Sequence, residues 1–378
     1  MGLIRLILAY AVVLNHSKPI HGYFVIPSNA AVSLFFMISG FYMALVMTEK
    51  YTGPNQIRGF YSNRILRLYP SYLIAVVLMI GVQIYLHQRT RGGYVSAWQA
   101  DHAMLPLSVK LPLMVPNIAI VGSDIPWMFY YGRKSGSRFW LGQGLADAPD
   151  ASRMGRYLLI QPAWSIGIEL WFYLLVPFLA RWRTSSVVIL AITSLAVRLG
   201  MEWTAPWSSY FFFPANLCFF LWGMLAYRIY RSERYVRVAT QPRVKVIFFV
   251  VVAAIALRQY IPFYRNYDWR LYLLFGATLP FLFQASKDWR LDRWIGNLSY
   301  PIYVIHACVL LFLKVGYGVD YGLITVLFST IVSLVLLFAV EQPLERFRQR
   351  RATRSLAGED STSSRKPRSL ALSIMRSH

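Results

Sequence analysis

Residues 1–16 read MGLIRLILAYAVVLNH, an apolar run punctuated by Arg5 and closed by His16. At ~3.6 residues per turn, eleven positions amount to almost three turns, so on a helix both side chains project from one face about 16 Å apart. Such a strip presents a cation near one membrane surface and an imidazole deeper in or near the other. An anchoring arginine and a loop histidine just past the helix end fit the same spacing. A secretory signal is excluded, because no small-residue cleavage site follows and apolar segments keep recurring.

The rest of the chain extends that pattern. Its 378 residues are 57% hydrophobic and only 15% charged, too apolar for a soluble domain of this size, so the fold class expected is an all-α polytopic integral membrane protein. Apolar segments near 3–18, 29–48, 70–87, 160–179, 185–200, 209–228, 245–262, 271–285, 297–315 and 322–340 predict about ten transmembrane helices. A 16% share of Trp, Tyr and Phe suits a chain with two water–lipid interfaces. With the amino terminus in the cytoplasm, about two thirds of the 39 Lys and Arg fall on the cytoplasmic side, which predicts both termini there. The formal charge of +23 sits between apolar runs and in the tail, which points to anionic membrane lipids and away from nucleic acid.

Two extramembrane parts are expected. The 88–159 loop holds a proline-broken apolar stretch, 104–122, which suits a re-entrant or interfacial segment better than a span. Residues 1–345 make the membrane domain, and the basic, Ser-rich 346–378 a disordered cytoplasmic tail. Cys218 and Cys308 both fall inside spans and read as small buried hydrophobes, so neither a disulfide framework nor a cysteine metal site is expected.

Ionisable residues within or beside spans each need a physical reason. Arg64 and Arg67, at i and i+3, share a helix face on which two guanidinium forks can grip a phosphate or pyrophosphate; anchoring on anionic lipid is the alternative. No Walker-type loop or GxGxxG occurs, which disfavours nucleotide hydrolysis. Glu169, about two turns into its helix, must be protonated, paired or facing a wet cavity, and an arginine or histidine from another helix is the expected partner. Trp164 and Tyr173 read as interface and packing residues. His306 falls near the middle of the ninth helix, whose start Pro301 marks, and Arg198 and Glu341 complete the set. His21 and His102 lie nearer water and carry less information. No histidine pair at i, i+4 is present and no metal is expected. Ser39-Gly40 reads as a close helix–helix contact, since no nucleophile elbow surrounds it.

Several fragments together resemble the membrane acyltransferase 3 family, bacterial proteins that acylate extracytoplasmic sugars. They are Arg-x10-His at Arg5 and His16, VSLFFMISGFYM (32–43), NRILRLYP (63–70), WSIGIELWFYLLVP (164–177), GNLSYPIYVIH (296–306) and VEQP (340–343), in that order over roughly residues 1–345. Where the family commonly has an acidic residue before the Phe-Phe of the second helix, this chain has Ser33, and its short basic tail leads to the expectation of the membrane-only type, without the fused hydrolase-like domain of some relatives.

The resemblance implies an acyl-CoA donor, commonly acetyl-CoA, at the cytoplasmic face and a glycan or lipid-linked glycan acceptor outside, in a bacterial inner membrane. It implies that Arg64 and Arg67, with Arg5, hold the coenzyme A phosphates. His16 would be general base or acyl carrier, with Glu169 and His306 supporting it. A transporter or flippase for a lipid-linked sugar is the competing class, disfavoured by the lack of an internal repeat; a sensor or scaffold leaves the Arg-x10-His spacing unexplained.

Overall fold

The computed structural model describes residues 1–18, 26–52, 56–100, 105–132, 138–141, 151–232, 235, 243–256 and 269–350. His21, His102, the far end of the 245–262 segment and the tail beyond 350 lie outside the described residues. The main helices are α1 Gly2–His16, α2 Ser28–Glu49, α3 Gln56–Arg89, a single turn α4 Ala97–Ala100, and α5 Leu107–Ala119. There follow α6 Ala163–Leu179, α7 Thr184–Thr204, α8 Pro206–Phe211, α9 Phe213–Tyr230, α10 Arg243–Ala256, α11 Trp269–Ser286, α12 Arg290–Tyr317 and α13 Gly322–Leu336. A π turn, Leu337–Glu341, continues α13, and helix persists to Arg350, five residues past the expected domain edge.

Each of the ten apolar segments contains helix. Five of the helices, Ser28–Glu49, Gln56–Arg89, Thr184–Thr204, Arg290–Tyr317 and Gly322–Arg350, are long and apolar enough to cross a membrane. By contrast α1 and α6, with 15 and 17 residues, fall short of the ~20 a bilayer needs. The two 18-residue helices α9 and α11 are diluted by polar and aromatic side chains.

Burial sorts these helices into an inner and an outer set. Within the apolar window of α2, 83% of residues are buried, against 17% in α7, whose Ile189 and Ile192 stay more than 60% exposed. The mostly buried α2 is thus the hub, and α7 leaves a wide apolar face for lipid. Glycine lets the hub be approached closely. A Cβ on Gly40 would stand 2.0 Å from the Phe220 carbonyl oxygen, and one on Gly223 equally close to that of Met37. The close contact read at Ser39-Gly40 is therefore real, and α9 is its other half.

Two helices depart from expectation in one way. Pro301 does not start its helix; α12 begins at Arg290, so Pro301 lies in its interior, as Pro70 does in α3. An internal proline strips the carbonyl four residues back of its partner, a cost that membrane proteins meet with neighbouring groups or a wet cavity. Those positions, Leu66 and Asn297, both line the internal cavity described below.

The connection between α3 and α6 carries structure that no apolar pattern announces. Strands β1 Phe129–Gly132, β2 Arg138–Leu141 and β3 Ala151–Arg153 form an antiparallel sheet in the order β2-β1-β3, pairing Tyr130 with Trp140 and with Arg153. The all-α expectation is corrected to that extent. Helix α5 keeps Pro112 and Pro116 inside it and is too short to span. It docks on α3 through Tyr72 Oη, which donates to the Asn117 carbonyl at 2.9 Å, and through Tyr69, which donates to that of Ala119.

Candidate active site

A cavity of about 860 Å³ opens where α1 and α12 begin and α2 ends. Met1, Glu49 and Arg346 all line it, so both ends of the described chain lie at one end of the bundle. Its wall also brings together Arg5 of α1, Arg64 and Arg67 of α3, and Glu169 of α6.

Arg64 is 7% exposed, with its guanidinium carbon 5.6 Å from the Phe60 ring and 5.8 Å from that of Tyr173. Aromatic faces hold such a cation without neutralising it. Its Nε has no hydrogen-bond partner. Arg67, one turn on, is half-buried, as is Arg5, whose charge interacts with those of Arg67 and Glu169. None of the three arginines forms an ion pair among the described residues. Desolvated cations so disposed attract an anion strongly.

Glu169 is held differently from the expected ion pair. Ser39 Oγ and Tyr173 Oη each donate to its Oε1 at 2.5 Å. Tyr173 is therefore more than a packing residue, and Ser39 serves both the helix contact and the carboxylate. Ser39, on another helix, leaves no pattern that points to Glu169, whereas Tyr173 follows it at i+4 on α6, a spacing the sequence shows. Opposite, Ser71 donates to Glu341 at 2.9 Å, on the π turn. π turns recur at functional sites, since they rotate a side chain off its regular face.

Ser165 and Tyr303 also line the cavity, their hydroxyls 2.6 Å apart. Next to Tyr303 lies the fully buried His306, the ring centroids 5.9 Å apart. His306 Nδ1 donates to the Tyr303 carbonyl at 2.7 Å, and its Nε2 has no partner. Neither His306 nor His16 lines the cavity. His16 closes α1, is exposed, and donates from Nδ1 to the Val12 carbonyl at 2.8 Å, with its ring 5.2 Å from that of His306. A carbonyl only accepts, so both imidazoles carry the proton on Nδ1, and Nε2 is left as a bare base in the neutral ring. The sequence suggests neither the pairing of the two histidines nor their common tautomer.

The model of a family described as an acyltransferase domain matches residues 1–341. The chain belongs to the membrane acyltransferase 3 family. It is an acyltransferase, and its apolar helices make it a membrane one, which leaves the transporter alternative without support. No curated protein and no solved structure matches the chain.

The remaining candidates lie outside this cavity. Arg198 is buried at the opposite end of the α7–α9 pair, its Nε donating to Glu202 and its Nη1 to Asn216 Oδ1, both at 2.8 Å. Ser33 turns its hydroxyl back to the Asn29 carbonyl at 3.0 Å, on its own helix. Cys218 and Cys308 are buried and unpaired.

Proposed function

We propose that this membrane acyltransferase takes an acyl group, commonly acetyl, from acyl-CoA held in the cavity and transfers it to a hydroxyl of an extracytoplasmic glycan. The observation carrying this reading is one cavity with Arg5, Arg64 and Arg67 among the six arginines on its wall, and a pair of bare imidazole nitrogens just beyond its Tyr303 wall. Its 860 Å³ lies within the range of cofactor pockets. Arg5, Arg64 and Arg67 would grip the coenzyme A phosphates at a cytoplasmic mouth, with the thioester directed toward Tyr303.

His16 is the better base of the two histidines, because it is exposed where His306 is enclosed. In the reaction its Nε2 takes the proton of the acceptor hydroxyl as the oxygen attacks the thioester carbonyl. The tetrahedral intermediate then collapses with loss of the coenzyme A thiolate, which recovers that proton. In the alternative sequence Nε2 attacks the thioester first and carries the acyl group to the sugar. His306 positions the His16 ring, and Glu169, held by Ser39 and Tyr173, sets the field near Arg5. A bacterial inner membrane with the glycan outside fits this two-sided arrangement.

Membrane vesicles given acyl-labelled acyl-CoA on the arginine side and a surface glycan on the other test the reading. Label should appear on the glycan with release of free coenzyme A. Export of glycan without acylation would overturn it.

A further inference from the structure

A second cleft, of about 450 Å³, opens beside the first where α6 turns into α7 and α9 ends. It is lined by Arg183, Arg228 and Arg231, by Trp182, and by Ala44 and Met224. Arg228 is pinned: its Nη1 donates to Thr184 Oγ1 at 2.9 Å, and its Nη2 donates to the carbonyls of Trp182 at 2.9 Å and Leu179 at 3.4 Å. Those acceptors occupy three of its five N–H groups and leave the positive charge uncompensated. Arg183 and Arg231 are exposed, and no carboxylate pairs with any of the three among the described residues.

The surroundings say which anion fits. The cleft lies at the same end of the bundle as the first cavity, from which it is separated by the Thr48 and Tyr227 hydroxyls, 2.6 Å apart, and Glu49 beyond them. On the adjoining outer surface, Leu175, Phe178 and Ile229 expose 38%, 58% and 57% of their area, a face that lipid chains cover. Trp182, 47% exposed, sits between the charged and apolar parts, where its amphipathic ring belongs. A soluble phosphate would use only the arginines. An amphiphile with a phosphodiester head and two acyl chains uses the arginines, the indole and the apolar face at once.

We propose that this cleft is a binding site for an anionic glycerophospholipid, distinct from the acyl-donor cavity. The inference does not depend on the reading of that cavity. Arg183 and Arg231 contribute electrostatic attraction, and the pinned Arg228 contributes a fixed, uncompensated positive charge for the phosphodiester.

Purified full-length protein exchanged with mixtures of phosphatidylglycerol and phosphatidylcholine, with retained lipid counted by native mass spectrometry, provides the test. The unaltered protein should retain phosphatidylglycerol preferentially, and R183Q/R231Q should lose about thirtyfold of that preference. R183K/R231K, which keeps both charges, should restore most of it. Millimolar inorganic phosphate should leave the retained phosphatidylglycerol in place. Undiminished preference in R183Q/R231Q overturns the site, and displacement by inorganic phosphate overturns the lipid as its ligand.

Discussion

Two sets of buried arginines in this protein are treated in opposite ways. Arg198 has its Nε on Glu202 and its Nη1 on Asn216, and its guanidinium lies 5.0 Å from the Phe219 ring. Asn216 is saturated in turn, donating to the carbonyls of Ser209, Tyr210 and Phe212. Arg64, by contrast, rests on two aromatic rings with its Nε unpartnered, beside a cavity that Arg5 and Arg67 share. Both sites bear the cost of desolvating a cation, but only the first recovers it within the fold. The second leaves its charge without a partner among the described residues, and the proposed binding of an anionic donor would supply one.

That contrast can be broken experimentally, and the largest effect belongs to the reacting end. His16→Ala should lower acyl transfer by about 10²–10⁴-fold, the usual contribution of a positioned base, with thermal stability unchanged. Membrane vesicle assays beside melting curves read both quantities. Arg198→Ala should do the reverse, costing about 3 kcal/mol of stability by stranding Glu202 and Asn216, while the turnover of the folded fraction holds. If it depressed turnover without lowering the melting temperature, the division into structural and functional arginines would fail.

Smaller effects sharpen the comparison. Arg64→Ala and Arg67→Ala should each raise the apparent KM for acyl-CoA by roughly tenfold, a loss typical of one charged hydrogen-bonding partner, with little change in stability. An unaltered KM in both variants would remove the phosphate-clamp role. The smallest effect is expected at the Lys314–Asp320 pair, where Nζ of Lys314, in the last turn of α12, lies 2.9 Å from Oδ2 of Asp320 in the connection beyond the helix. The hydrogen bond from Lys314 holds the Asp320 carboxyl below its ordinary value. Its stabilisation is present above pH ~4 and is lost as pH falls through the depressed value. Lys314 is 56% exposed, so Asp320→Asn should cost only about 0.5 kcal/mol near neutral pH, and the cost should shrink as pH falls through the depressed value, as melting across pH will show.

Much of this arrangement is legible in the sequence, because membrane insertion imposes long apolar runs and makes every intervening charge conspicuous. Arg5, Arg64, Arg67 and Glu169 stand out for that reason, and the fold gathers all four at one cavity. Polar residues of ordinary type do not stand out. Ser39, Ser165 and Tyr303 look like ordinary span residues until helices far apart in sequence bring Ser39 to Glu169 and Ser165 to Tyr303. The β1–β3 sheet escaped detection because its strands are three or four residues long, too short for an alternating pattern to emerge. Pro301 misled for a related reason: a proline marks a helix start in water far more reliably than inside a bilayer, where the freed carbonyl can be met by neighbouring groups.

The reciprocal glycines at 40 and 223 carry a mechanical consequence. With backbones this close, α2 and α9 cannot slide or rotate past each other without collision, so the Ser39 wall of the donor cavity is its fixed jaw. Any widening that admits a donor falls to the opposing wall, where α3 and α12 each contain a proline and lack one rung of their hydrogen-bond ladder. Arg64 and Arg67 lie one to two turns before Pro70 on α3, so any bend at that proline would carry both guanidinium groups with it.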